Sequence, residues 1–173
     1  ALIVRRGEPR VPLTPLMDGG GHERHLRSGT LPVPLIAGRG AAYEIAERER
    51  ESEQSRLRSL RDRLWGALRA GLPGVELNGH PDERLAGNLN VSFAGVNGDA
   101  LMTGVTDIAV SSGSACTTAD PEPSHVLRAL GRSDALTRAS LRFGLGRSNS
   151  EDDVDRAAEH VIEVVTRLRA DSP

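Results

Sequence analysis

The pattern that most limits how this chain can fold is a pair of long amphipathic stretches set against short alternating ones. Ser150-Glu151-Asp152-Asp153 supplies a cap and an acidic first turn. Val154, Ala158, Val161, Val165 and Leu168 then fall on one helical stripe, and Arg167 and Arg169 lie at the negative end. An earlier helical stretch from about Pro34 to Ala70, with a possible kink near Gly38 and Gly40, puts Leu57, Leu60, Leu64 and Leu68 on one face. Such stripes must be buried against an apolar surface. Leu89-Asn90-Val91-Ser92-Phe93 and Leu141-Arg142-Phe143-Gly144-Leu145 offer one, because each alternates apolar and polar residues with the period of a half-buried strand. The implied architecture is α/β, with helices on a sheet.

The connecting segments read in the same terms. Ala1-Leu2-Ile3-Val4 reads as a strand that begins without a cap or turn, as though cut, and Arg5 to Pro15 as its connection. Ser28-Gly29-Thr30 before Leu31-Pro32 reads as a helix start, with Thr30 or Ser28 as the cap and Pro32 in the first turn. Leu72-Pro73-Gly74 ends the long helix and Val75-Glu76-Leu77 is strand-like. Asn97-Gly98-Asp99 introduces a short helix to about Gly104. Asp107 to Val110 reads as a buried strand, and Pro123-Ser124 opens a helix stopped by Gly131.

Composition excludes several functions. At 173 residues the chain holds one domain with a substantial core, or one domain plus part of another. A net charge of −2 gives no electrostatic footprint for nucleic acid, and no apolar run approaches the ~20 residues of a membrane-spanning helix. A single cysteine makes no internal disulfide, which suits a reducing, cytoplasmic setting. His22 and His25, three apart on a Gly-rich stretch, have no companion ligands in sequence, so no metal is expected. All 22 Lys+Arg residues are arginine. The chain therefore has no side-chain amine with which to form a Schiff base with an aldehyde cofactor.

The single cysteine, Cys116, sits in Ser111-Ser112-Gly113-Ser114-Ala115-Cys116-Thr117-Thr118. A lone cysteine is by default a small buried hydrophobe. Its small polar neighbours cannot fill a core, which favours a loop that presents a reactive thiol. Arg142 has two readings from the residues alone, a solvated cation or an anion-binding one. Thr30 likewise reads as a plain cap or as part of an anion site.

These segments also carry a resemblance. Ser-Ser-Gly-Ser-Ala-Cys116 resembles the active-site cysteine loop of cysteine desulfurases of the IscS/NifS type, pyridoxal-phosphate enzymes of the class V aminotransferase superfamily. Gly19-Gly20-Gly21-His22-Glu23-Arg24 with Leu26-Arg27-Ser28-Gly29-Thr30-Leu31-Pro32, Asn88 to Phe93, and Arg142-Phe143-Gly144-Leu145-Gly146-Arg147 resemble three further signatures of that family. His25 departs from the pattern, which commonly has glycine there.

The resemblance implies the C-terminal small α/β domain of a fold-type I pyridoxal-phosphate transferase, residues 32–173, with residues 1–31 a remnant of the large cofactor-binding domain. It implies sulfur removal from L-cysteine, giving L-alanine and a persulfide on Cys116. Arg142 would hold the substrate carboxylate, and Thr30 would reach the cofactor phosphate of a partner subunit in a homodimer. The sulfur would pass to an acceptor protein, an iron–sulfur scaffold or a tRNA-thiolation protein. The missing lysine leaves an alternative, a non-catalytic remnant serving as an interaction module or persulfide carrier. A rhodanese-like transferase would explain the cysteine loop but not the other three motifs.

Overall fold

The computed structural model describes residues 2–4, 7, 9, 12–112 and 123–171. The chain divides into two units, Ala1–Arg48 and Glu49–Pro173. Helix α1, Val33–Gly71, runs from the first into the second and is an α-helix throughout, including at Gly38 and Gly40. In the second unit β1 (Val75–Leu77), β2 (Asn88–Phe93), α2 (Gly98–Gly104), β3 (Ser111–Ser112), α3 (His125–Ala129), α4 (Asp134–Arg138), β4 (Ser140–Gly144) and α5 (Glu151–Ala170) follow in order. Among the described residues the strands form one antiparallel sheet in the order β1-β2-β4-β3.

The two halves of the hydrophobic pattern meet on one face of this sheet. Leu89, Val91 and Phe93 of β2 and Leu141 and Phe143 of β4 are buried with Leu60, Leu64 and Leu68 of α1 and with Val154, Ala158, Val161 and Val165 of α5. Fully burying a side chain of this size contributes about 1.5–3 kcal/mol, so the stripes and the alternating strands together supply most of the drive to fold. Hydrogen bonds fix how the helices lie. The guanidinium of Arg56 donates to the carbonyls of Gly146, Arg147 and Asn149, and that of Arg169 donates to the carbonyl of Ala94. Arg63 on α1 pairs with Glu151 and Asp155 on α5 at 2.7 Å.

Short helices brace the ends of the strands. The Asn97 side chain accepts from the backbone N–H groups of Asp99 and Ala100, and the Ser133 hydroxyl accepts from that of Leu136. A glycine is required where α2 meets the end of α4: a Cβ on Gly98 would lie 2.4 Å from the carbonyl oxygen of Arg138.

Three expectations from the sequence are corrected here. Residues 2–4 are not strand, since no described segment pairs with them. The strand leading to the cysteine segment is Ser111–Ser112 rather than 107–110; the latter residues bend over the core and pair with no strand among the described residues. Helix α1 begins at Val33, one residue after Pro32, and the Ser28 hydroxyl donates to the Gly20 carbonyl at 2.9 Å instead of capping the helix. Helix α4 was not foreseen. Its five residues carry too little periodicity to separate a helical turn from a loop.

Helix α5 supports a pH prediction. Asp153 accepts from the backbone N–H and hydroxyl of Ser150 and from Arg156, and these donors, the Ser150 backbone first, hold its carboxyl below the usual aspartate range. A depressed folded-state value stabilises the fold above the unfolded aspartate value of about 3.9, and the contribution is lost as pH falls through the lower folded value. Asp153→Asn is therefore expected to lower the urea midpoint at neutral pH, with the gap to the parent closing below roughly pH 4. Urea titrations of both proteins across that range check it; a gap independent of pH would contradict it.

Candidate functional site

The second face of the sheet is polar, and it carries the site. In β2 it presents Asn88, Asn90 and Ser92, and in β4 Ser140, Arg142 and Gly144. Antiparallel register sets Asn90 opposite Arg142, and Ser92 opposite Ser140. On the far side of β4, Ser111 is also opposite Arg142. Helix α4 packs against β2 on this side, and α3 contributes Leu127 to the wall of a cavity of about 260 Å³. Asn78, Asn88, Asn90, Ser124, Leu127 and Arg142 line it.

Most polar groups of this face are consumed by one another. Each nitrogen of the Arg132 guanidinium is engaged: Nε donates to Asn78 Oδ1 at 2.7 Å, Nη2 to the Leu77 carbonyl at 2.8 Å, and Nη1 to Glu76. Asn78 passes the direction on, its Nδ2 donating to Asn90 Oδ1 at 2.7 Å and to Ser92 Oγ at 2.8 Å. Ser92 and Ser140 share a hydrogen bond of 2.7 Å, and Ser140 donates to the Leu136 carbonyl, so Ser92 is the donor of the pair. Asn78, Ser92 and Ser140 are buried, and a buried chain of this kind is stable only when every member has its partner.

Arg142 stands apart from this network. It is exposed, and it makes no side-chain hydrogen bond or ion pair among the described residues. Two arginines on the same face thus do different things. Arg132 is a structural clamp, and the Arg142 guanidinium is exposed and unpaired among the described residues.

Cys116 lies outside the described residues, as do all of 113–122. The chain enters that segment at Ser112, one residue beyond the partner of Arg142, and leaves it at Pro123, next to Ser124 of the cavity wall. The described residues Ser111 and Ser124, on either side of the cysteine-bearing stretch, are thus placed near Arg142, one by strand pairing and one by the shared cavity wall.

Thr30 belongs to the first unit. It is exposed, and its hydroxyl has no partner among the described residues. Before it, His22–His25 form a tight turn in which Glu23, Arg24 and His25 have φ of 51°, 58° and 65°. His25 thus occupies the left-handed region that glycine adopts freely. Its ring lies so close to Gly21 that a Cβ there would be 2.5 Å from it. The Gly20 carbonyl closes the loop, accepting from the His22 backbone, His22 Nδ1 and Ser28.

A larger groove of about 720 Å³ between Asp107–Val110 and α5 opens on the Phe143 side of β4, the face opposite Arg142. Among the described residues no three of His, Cys, Asp and Glu lie close enough to hold a metal ion. No helix among them is long and apolar enough to cross a membrane.

A sheet with two long helices on one face and a polar cavity lined by Arg142 on the other stands beside the following comparisons with known proteins. The family model described as aminotransferase class-V matches residues 10–157, and the chain belongs to that family. It is 55% identical over 173 residues to the cysteine desulfurase IscS of Anaeromyxobacter sp. (strain Fw109-5), covering 100% of this chain and 43% of that protein. A NifS-like protein of known structure superposes with a TM-score of 0.78 at 31% identity, over 93% of this chain and 41% of the other. The NifS-like protein from Rickettsia africae ESF-5 superposes with a TM-score of 0.78 at 26% identity, over 90% and 41%. The chain thus spans less than half the length of these relatives.

Reasoning from sequence singled out Arg142, and Asn88 to Phe93 as a motif, but not the network that joins Asn90 and Ser92 to Asn78, Ser140 and Arg132. The alternation of β2 marks Asn90 and Ser92 as facing away from the apolar core. Only the pairing of β2 with β4, and the helices laid over them, show that this second face is also enclosed.

The contrast between the two arginines predicts opposite outcomes. Arg132→Ala leaves buried Asn78 Oδ1 without its donor and is expected to cost about 1–3 kcal/mol, whereas Arg142→Ala should stay within about 0.5 kcal/mol of the parent. Urea denaturation of both variants is the check; comparable losses would show that Arg142 is also structural.

Proposed function

We propose that the complete protein is a cysteine desulfurase, removing sulfur from L-cysteine to give L-alanine and a persulfide on Cys116. One observation carries this reading. A cation with no side-chain partner among the described residues lies on the polar face of the sheet, and the segment that holds the chain's single cysteine runs between Ser111, paired with it across β4, and Ser124, which lines the same cavity. Arg142 would hold the substrate carboxylate through its two parallel N–H groups and fix the amino acid relative to the cysteine segment. Cys116 is four residues along the chain from Ser112 and seven from Pro123. As thiolate it would attack the substrate sulfur. A sulfur–sulfur bond forms, the carbon–sulfur bond breaks with its electron pair going to carbon, and protonation of that carbon gives alanine. A free thiol near pKa 8.5 is only a small fraction thiolate at neutral pH, so the site must favour the ionised form.

The family's cofactor, pyridoxal phosphate, would supply the electron withdrawal that loosens bonds next to the substrate's amino-bearing carbon. The donor set of this chain fits only a share of that cofactor. With no lysine among 173 residues, the anchoring amine must come from outside them. Thr30, whose hydroxyl is exposed and unpaired among the described residues, would contribute a hydrogen bond to the phosphate of a partner subunit. We assign residues 1–31 to the large cofactor-binding domain and 32–173 to the small domain. A homodimer accords with the exposed apolar side chains of Val33, Leu35, Ile36 and Tyr43. The setting is the cytoplasm, and the persulfide would pass to an iron–sulfur scaffold or a tRNA-thiolation protein. The lysine-free composition favours one other reading, a persulfide carrier without turnover.

Two experiments on the complete enzyme test the proposal. With L-cysteine supplied, mass spectrometry is expected to find a persulfide on Cys116 that is absent from Cys116→Ala; an undiminished sulfur adduct on the variant would place the chemistry elsewhere, and a persulfide formed without alanine would favour the carrier. Arg142→Lys keeps the charge and loses the fork, so KM for L-cysteine should rise about tenfold with a smaller change in kcat. An unchanged KM would return Arg142 to the role of a solvated surface cation.

A further inference from the structure

We propose that Asn90 is a second donor to the carboxylate held by Arg142, and that Arg132 and Asn78 are positioning residues that set its amide the right way round. The inference rests on the assignment of Arg142 to a substrate carboxylate. Asn90 is the cross-strand partner of Arg142, and both line the same cavity. Directly opposed residues in an antiparallel pair have Cβ atoms about 4.5–5.5 Å apart, close enough to act on one small ligand group.

An asparagine facing an arginine would ordinarily turn its oxygen toward the guanidinium and occupy it. Here the network prevents that. Arg132 Nε can only donate, so the Asn78 oxygen must face it and the Asn78 nitrogen must face β2. That nitrogen has two hydrogens, and both are used, one on Ser92 Oγ and one on Asn90 Oδ1. Asn90 therefore spends its oxygen on Asn78 and keeps its Nδ2 hydrogens, which have no partner among the described residues. The group next to Arg142 is consequently a donor. Two donors side by side repel a cation and accept an anion, and a carboxylate has lone pairs enough for both.

This arrangement also accounts for a buried polar chain of such length on a small sheet. Apolar residues would fill the space at lower risk, but they could not fix the amide of Asn90. Asn88 lines the same cavity one pleat away, opposite Gly144 rather than Arg142, and no hydrogen bond to its side chain fixes its orientation among the described residues.

The test uses the complete enzyme with L-cysteine as substrate. Asn90→Ala should raise KM about tenfold with kcat little changed. Asn90→Asp keeps the oxygen that Asn78 needs and replaces the donor by a carboxylate that pairs with Arg142, so it should raise KM further while the melting temperature stays near that of the parent. Competitive inhibition by L-alanine should weaken in proportion, and inhibition by ethylamine, which lacks the carboxylate, should not. If Arg142→Lys raises KM and both Asn90 variants leave it unchanged, the inference fails while the assignment of Arg142 stands. If none of the variants raises KM, that assignment fails with it. Equal weakening of L-alanine and ethylamine inhibition would reduce Asn90 to a structural residue.

Discussion

The pairing register of β2 with β4 is the constraint on which the rest depends. Leu89 opposite Phe143 and Val91 opposite Leu141 put four apolar side chains on the helix-covered face, and the same register puts Asn90 opposite Arg142 on the other. Because side chains alternate strictly along a strand, a slip of one residue would turn Arg142 into the core and expose Leu141 and Phe143. The hydrophobic energy of the core therefore also aims the site. Nothing chemical in Arg142 places it there; it is held by the burial of its two neighbours in sequence.

A second level of control lies in the polar network on that face. A sheet buried on one side and open on the other needs no internal polar chain, and this one has a chain running from Arg132 through Asn78 and Ser92 to Ser140 and the Leu136 carbonyl. Each member is satisfied by the next, so the direction of every donor is set by the first. Arg132 is in turn held by Glu76 and the Leu77 carbonyl on the edge strand β1. Rigidity thus reaches the cavity from an edge of the sheet, through hydrogen bonds rather than through bulk.

Much of the second unit was legible from the sequence, and the reasons are particular. The stripes Leu57-Leu60-Leu64-Leu68 and Val154-Ala158-Val161-Val165-Leu168 are long enough to declare their period, and they are buried as expected except at Leu57 and Leu168, which are only half-buried. The cap at Ser150 is visible because its partner stands three residues on. Arg142 was legible as a polar residue between two core residues. The strand before the cysteine was misplaced because Ile108 and Val110 pack against the core without pairing among the described residues, and Ser111–Ser112 gains its strand geometry only from β4. The Asn78 network was invisible for a similar reason: asparagine and serine at alternate positions look solvent-facing until the pairing and the covering helices are known. The turn at His25 shows the limit from the other side, since a residue with a Cβ holds a conformation that local preference assigns to glycine.

The proposed role of the polar face, with Arg142 and Asn90 side by side, is to receive the carboxylate of an amino acid. A crystal structure of the complete enzyme with a bound unreactive amino acid, L-alanine, measures this directly. Both carboxylate oxygens are expected on the Arg142 guanidinium, with one of them also within hydrogen-bond distance of Asn90 Nδ2. A carboxylate bound elsewhere, with Arg142 left in solvent, would contradict it.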